Sequence, residues 1–264
     1  MRKQNAASTI LIPKTISEAI MGAGPKPGDA APREQKKNYA ERLSNDVARY
    51  MAAQLRELGL KQCQPDEKRG RERQFAGGIG PKKVDVSFAT EEDGLVLGVS
   101  VKSICFRDKK SQNYQKNLTN RRGDLLSEAT TLHQRFPYAV VGGLFLFDRG
   151  AAEDGTSKRV STFITAHEYF RAFDNRSTQA NAVQKFEVLG IALYDSKEPV
   201  GLKYYDAGQS DLAKPLQSFF SRLLDRVAER NPDRFRFADG KLTSRRVPQL
   251  SNNAGDDVGE SDED

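Results

Sequence analysis

Residues 83–102, KVDVSFATEEDGLVLGVSVK, decide how this chain folds. In the first half Val84, Val86 and Phe88 alternate with Asp85 and Ser87; in the second, Leu97, Val99 and Val101 alternate with Ser100 and Lys102. A period of two is the mark of a β-strand, whose successive side chains point to opposite faces. Asp93-Gly94 between the runs predicts a two-residue turn, because its backbone needs positive φ, which Gly supplies at no steric cost. That turn pairs Glu92 with Leu95 and sets Asp85 directly opposite Lys102, with Cβ atoms about 5 Å apart. A four-residue loop would set Asp85 against Ser100 and keep Lys102 on the same face. A three-residue loop would send acid and lysine to opposite faces.

The flanks supply the rest of an α/β domain. Upstream, Ala40, Leu43, Val47, Met51, Leu55 and Leu58 recur every three or four positions, predicting an amphipathic helix over Gln35–Leu58 that stops at Gly59. QFAGGIG, after the basic KRGRER, suits a short first strand ending in a bend. Downstream, Asn113–Arg135 reads as a helix, and Tyr138–Phe147 (YAVVGGLFLF) as a strand buried on both faces. A short helix at Ala166–Phe173, strands at Phe186–Tyr194 and Val200–Tyr205, and a helix at Leu212–Arg230 follow. One mixed sheet flanked by helices accommodates this order. Residues 1–33, with the cluster GAGPKPGDAAP, read as a flexible N-terminal segment, 34–250 as one domain, and 251–264 as a disordered acidic tail.

Composition narrows the partners. The net charge is +6, yet the tail from Asn252 holds six acids and no Lys or Arg, so the rest of the chain carries +12. A basic body of that kind attracts polyanions, nucleic acid first. No apolar run approaches a membrane span, and the opening MRKQNAASTILIPKT is too short in apolar residues for a secretory signal. With only Cys63 and Cys105, and no metal-ligand spacing, the expectation is a reduced protein of the cytoplasm. His133 and His167 lie too far apart in sequence to suggest a nucleophile pair, so both are expected to be structural.

An acid and a lysine on an otherwise apolar hairpin are, at their plainest, a surface ion pair. They also suit phosphodiester chemistry: carboxylate oxygens hold a hard divalent cation near a phosphate, and a lysine beside it orients water or offsets charge. An acid on one strand followed by acid-x-Lys on the next is the signature of the PD-(D/E)xK nucleases. With Val84-Asp85 and Ser100-Val101-Lys102, and with its helix–hairpin–helix–strand order, the chain resembles restriction endonucleases of that superfamily over about residues 35–150. The stretch NYQKNLTNRRGDLLSEATTLHQRFPYAV (113–140) strengthens the likeness.

Two departures stand out. Pro81 is four residues upstream of Asp85 rather than next to it, and Ser100 stands where the second acid normally sits. Some restriction enzymes with serine there bring a glutamate from the following helix. The resemblance then implies Glu128 as the missing carboxylate, with Asp124 as second choice, although 26 residues from the lysine is a longer spacing than such enzymes show. Glu41, on the first long helix, is a further candidate by the same likeness.

The resemblance thus implies a restriction-endonuclease-like mixed sheet, Mg²⁺ held by Asp85 and Glu128, water activated by Lys102, and hydrolysis of double-stranded DNA by a homodimer. Lys83, Arg107, Lys109, Lys110, Lys116, Arg121 and Arg122 surround the pair in sequence and are expected to contact DNA. The substitution of Ser100 leaves two other readings open: an inactive nuclease fold kept for DNA binding, or a nuclease subunit acting on other nucleic acid in a defence or repair complex.

Overall fold

A computed structural model of the chain describes residues 11–68, 70, 72–178, 180–198 and 202–245. Its centre is a five-stranded mixed sheet in the order β3 (Val86–Thr90), β4 (Gly94–Ile104), β5 (Val140–Asp148), β6 (Val188–Tyr194), β7 (Lys203–Asp206). The three middle strands run parallel and the two outer ones antiparallel to them. One face packs on α1 (Ile16–Gly22), α2 (Arg33–Glu57) and α5 (Gln217–Arg230), the other on α3 (Gln115–Arg135) and α4 (Thr162–Phe170). Two small hairpins, β1 (Arg73–Ala76) with β2 (Pro81–Val84) and β8 (Phe235–Ala238) with β9 (Lys241–Ser244), complete the layers.

Each middle strand is buried on both sides, so its residues divide between two cores. Leu97, Val99 and Val101 of β4 join the cluster containing Leu43, Val47 and Met51 of α2; Leu95 and Ile104 join Leu118, Leu125 and Leu132 of α3. Burying one such side chain stabilises the fold by about 1.5–3 kcal/mol. The spacing along α2 is as expected: Tyr39, Leu43, Val47, Met51 and Leu55 form its buried stripe. Gly143 of β5, paired with Ser100 of β4, brings α3 close to the sheet: a Cβ there would already touch Leu125 at 3.5 Å and would collide with Leu189 at 2.7 Å. Leu125 therefore settles over the sheet, and Glu128, three residues on and on the same face of α3, comes down beside Ser100.

The hairpin differs from expectation in an instructive way. Its loop holds three residues, Glu91 to Asp93, with Thr90 paired to Gly94. Thr90 closes it: the hydroxyl donates to Asp93 Oδ2 at 3.0 Å and accepts from the Asp93 N–H at 2.9 Å, while Gly94 takes a positive φ of 67°. Such a loop alone would put Asp85 and Lys102 on opposite faces. A bulge corrects it: Ala89 pairs with Leu95 but Phe88 pairs with Leu97, so Val96 is an extra residue and the face flips back. Val86 then pairs with Val99, which leaves Asp85 beside Ser100.

Two other expectations change. Part of the N-terminal segment expected to be flexible is helix α1, capped by Thr15 and packed on the core through Ala19, Ile20 and Ala23; its apolar face is too short to mark a packed helix beside the Gly/Pro cluster. The β8–β9 hairpin, whose Phe235 and Leu242 are buried, was not foreseen. The acidic tail and residues 246–250 lie outside the described residues.

Candidate active site

The site forms where β2 gives way to β3. Asp85 occupies the bend between them, and its Oδ2 accepts the backbone N–H of Val101 at 2.7 Å, so the carboxylate closes the ladder where strand pairing stops. Among the described residues none donates to its other oxygen, Oδ1. Burial pushes the Asp85 carboxyl up to about 6, outweighing Lys102 and the Val101 N–H, while the charges of Glu128 and Glu72 push in the same direction as burial. This carboxylate lacks positive charge.

Lys102, two residues beyond Ser100, faces the same way. Its ammonium donates to Glu128 Oε1 at 2.7 Å, and the Ser100 hydroxyl donates to Glu128 Oε2. Burial alone would lower the Lys102 ammonium, but the carboxylates of Glu128 and Asp85 more than offset it and hold it above its ordinary value. Lys102 is thus a fixed positive charge at neutral pH.

Asp85 and Lys102 line a groove of about 810 Å³ running between α2 and α3, with the end of β4 as its floor. Of the cations expected to contact DNA, Arg107, Lys109, Lys116 and Arg121 line this groove. Three do not. Lys83 is turned to Glu72 in a 2.6 Å ion pair, because alternation along β2 points it away from Val84's buried side. Arg122 lies 5.0 Å from the Tyr169 ring and 5.7 Å from that of Phe173, on the flank of α3 that meets α4. Lys110 sits at the exposed tip of the β4–α3 loop. In their place α2 contributes Arg33, Lys36 and Lys37, which lie far from the acid–lysine pair in sequence and had no motif to mark them.

The three candidates for the second carboxylate separate. Glu128 is buried against Ser100 and Lys102. Asp124 is exposed and pairs with Arg121 at 3.4 Å. Glu41 is an exposed groove residue paired with Lys37 at 3.5 Å. Among the described residues no group of three or more His, Cys, Asp or Glu side chains gathers as a metal cage. Asp85 and Glu128 are nevertheless a donor set of the right chemistry for a hard cation: oxygen ligands, one with an open position and a deficit of positive charge. Mg²⁺ commonly needs only one or two carboxylates, completing its shell with water and phosphate oxygens.

The two histidines sit away from the groove. His167, buried against Phe163 and Tyr205, is pushed down to about 4 by burial and is neutral. His133 belongs to a sealed cluster with Glu187, which also holds Arg176 and Arg230. That cluster was invisible in the sequence, since its members are spread over about a hundred residues.

Among the described residues no helix is long and apolar enough to cross a membrane. In comparison with known proteins, no family model, no curated protein and no solved structure matches the chain.

Proposed function

We propose that the protein is a Mg²⁺-dependent nuclease that hydrolyses phosphodiester bonds of double-stranded DNA, with a restriction-endonuclease-like fold and action. One observation carries the reading: a carboxylate with an open oxygen and a lysine pinned by a second carboxylate share the floor of one groove, and cations line both its walls.

In this reading Asp85 and Glu128 hold the cation, which when bound lowers the pKa of a water and offsets charge on the phosphate. Lys102, kept charged by Glu128, donates to a non-bridging phosphate oxygen and neutralises negative charge that grows in the transition state. Ser100 cannot supply a negative charge; its hydroxyl fixes Glu128 in the place that an acid at position 100 would otherwise serve. In this reading Glu128 of α3 takes the part of the strand acid, and Ser100 holds it there. Lys116 and Arg121 on one wall and Arg33, Lys36 and Lys37 on the other contact backbone phosphates. A restriction enzyme of this kind cuts both strands as a two-fold homodimer.

Plasmid DNA incubated with the purified chain and Mg²⁺, against an EDTA control, tests the proposal. Cleavage that depends on Mg²⁺ and disappears in Lys102→Ala is the expected result. Binding without cutting on all DNA offered would leave the groove as a recognition surface only, and cutting restricted to RNA would change the substrate.

A further inference from the structure

The groove's cations are not alike. Lys37, Lys102, Lys116 and Arg121 each lie within ion-pair distance of a carboxylate: Glu41, Glu128, Asp108 and Asp124 respectively. Lys36 and Arg107 do not, among the described residues, although both are half-buried, where an uncompensated charge is costly. Each cation lies by an aromatic ring, and Asp29 ties the two residues together, through the Lys36 ammonium and the Arg107 backbone. The Lys36 ammonium lies 5.6 Å from the centre of the Phe106 ring and donates to the backbone carbonyl of Asp29 at 3.1 Å. The Arg107 guanidinium lies 5.9 Å from the centre of the Tyr114 ring, and its backbone N–H donates to Asp29 Oδ1 at 3.3 Å. The nearby Lys26 is a useful contrast: its ammonium also lies over Phe106, at 5.4 Å, but Asp148 neutralises it at 2.8 Å.

We infer that Lys36 and Arg107 form a phosphate subsite for the strand whose scissile bond lies over Asp85 and Lys102. The inference rests on the nuclease reading and extends it to a second phosphate. Ring faces and a carbonyl orient the two cations without using up their charge, so a phosphate meets donors already in place. Arg107 offers a planar fork suited to two phosphate oxygens and Lys36 a point charge beside it. Arg107 follows Lys102 by five residues, so chain geometry limits the separation of their Cα atoms to about 17 Å, and both line the same groove.

The test is binding of a fluorescent 20-base-pair duplex to the full chain in EDTA, read as a function of salt. Each phosphate contact contributes about 0.9 to the slope of log affinity against log salt. The variant Lys36→Gln/Arg107→Gln, which removes the one subsite phosphate, is expected to lose about 0.9 from that slope and to bind at least about tenfold more weakly at low salt. Lys36→Arg/Arg107→Lys, which keeps both charges, should restore the slope and so separates lost contacts from lost folding. Lys110→Gln removes an exposed cation of the same loop and should change the slope by less than half as much as one contact. A Gln/Gln variant with an unchanged slope overturns the subsite, and so does a chain that binds no duplex. Failure of the nuclease reading looks different: a chain that never cleaves but loses slope in the Gln/Gln variant keeps the subsite, whereas one that cleaves with an unchanged slope keeps the nuclease and loses the subsite.

Discussion

Helix α3 pins two clusters of charge to the sheet, and they are built on opposite plans. Five residues separate Glu128 of the groove cluster from His133 of the other. In the sealed cluster Glu187 is saturated: Oε1 accepts from Arg176 at 2.9 Å and Arg230 at 2.8 Å, while Oε2 accepts the Val141 N–H at 2.8 Å and lies 3.2 Å from His133 Nε2. At the groove Asp85 has one backbone donor and an oxygen to spare. Environment follows arithmetic: burial raises both carboxyls, but at Glu187 the His133, Val141 and Arg176 partners win and the group is held below its ordinary value, whereas Asp85 stays raised. A satisfied charge can serve as structure; one left short of partners is available to a ligand.

The largest effect should come from breaking the open cluster. Asp85→Asn keeps an acceptor for the Val101 N–H and removes the charge, so the fold should survive and even gain about 1 kcal/mol in the absence of metal, the usual cost of a site built for function. Under the nuclease proposal cleavage should fall at least about 10³-fold, equivalent to ~4 kcal/mol of transition-state stabilisation. Urea unfolding and plasmid cleavage on the same preparation measure both. A variant that cuts normally would remove Asp85 from the chemistry.

The sealed cluster should respond in the other currency. Glu187→Gln strands two buried guanidinium groups and should cost about 3 kcal/mol of stability, with little change in cleavage below the unfolding transition. A loss under about 1 kcal/mol would mean that the arginines find other partners.

A smaller contrast lies within α3. Glu128→Gln should lower cleavage about 10²-fold, because the cation loses the charge of one carboxylate and Lys102 the charge that orients it. Asp124→Asn, one turn away on the solvent side, should alter it less than about twofold. Equal effects would mean that α3 supports the site only through packing.

How far the sequence reveals these regions follows from their range of interaction. The hairpin faces, α2's stripe and the doubly buried β5 are local patterns, readable from alternation or from spacing of three and four. The bulge at Val96 is not, because Leu95-Val96-Leu97 is apolar throughout and parity is set by the Thr90–Asp93 turn. Asp85 and Lys102 were legible because strand pairing brings them together at short sequence distance. Glu128 followed only from a likeness to known nucleases. Lys36 was hidden because α2 meets the groove through tertiary packing, and Glu187 because its arginine and histidine partners come from three separate segments.

The pH dependence of folding gives the finest test of the two plans. Glu187 has a folded-state pKa below its ordinary 4.5, so the unfolded chain binds protons more readily as the medium turns acid. Its contribution is therefore complete above about 4.5 and declines as pH falls from there through the lower folded value. One proton gives a slope of at most ~1.4 kcal/mol per pH unit. Other carboxylates contribute acid sensitivity of their own, so the quantity to measure is the difference in unfolding free energy between the chain and Glu187→Gln. That difference should be flat from pH 7 to about 5 and shrink below it. If it instead shrank on raising the pH through neutrality, the sealed cluster would be held together by a group that loses its proton there, and Glu187 would not be the residue that sets its pH response.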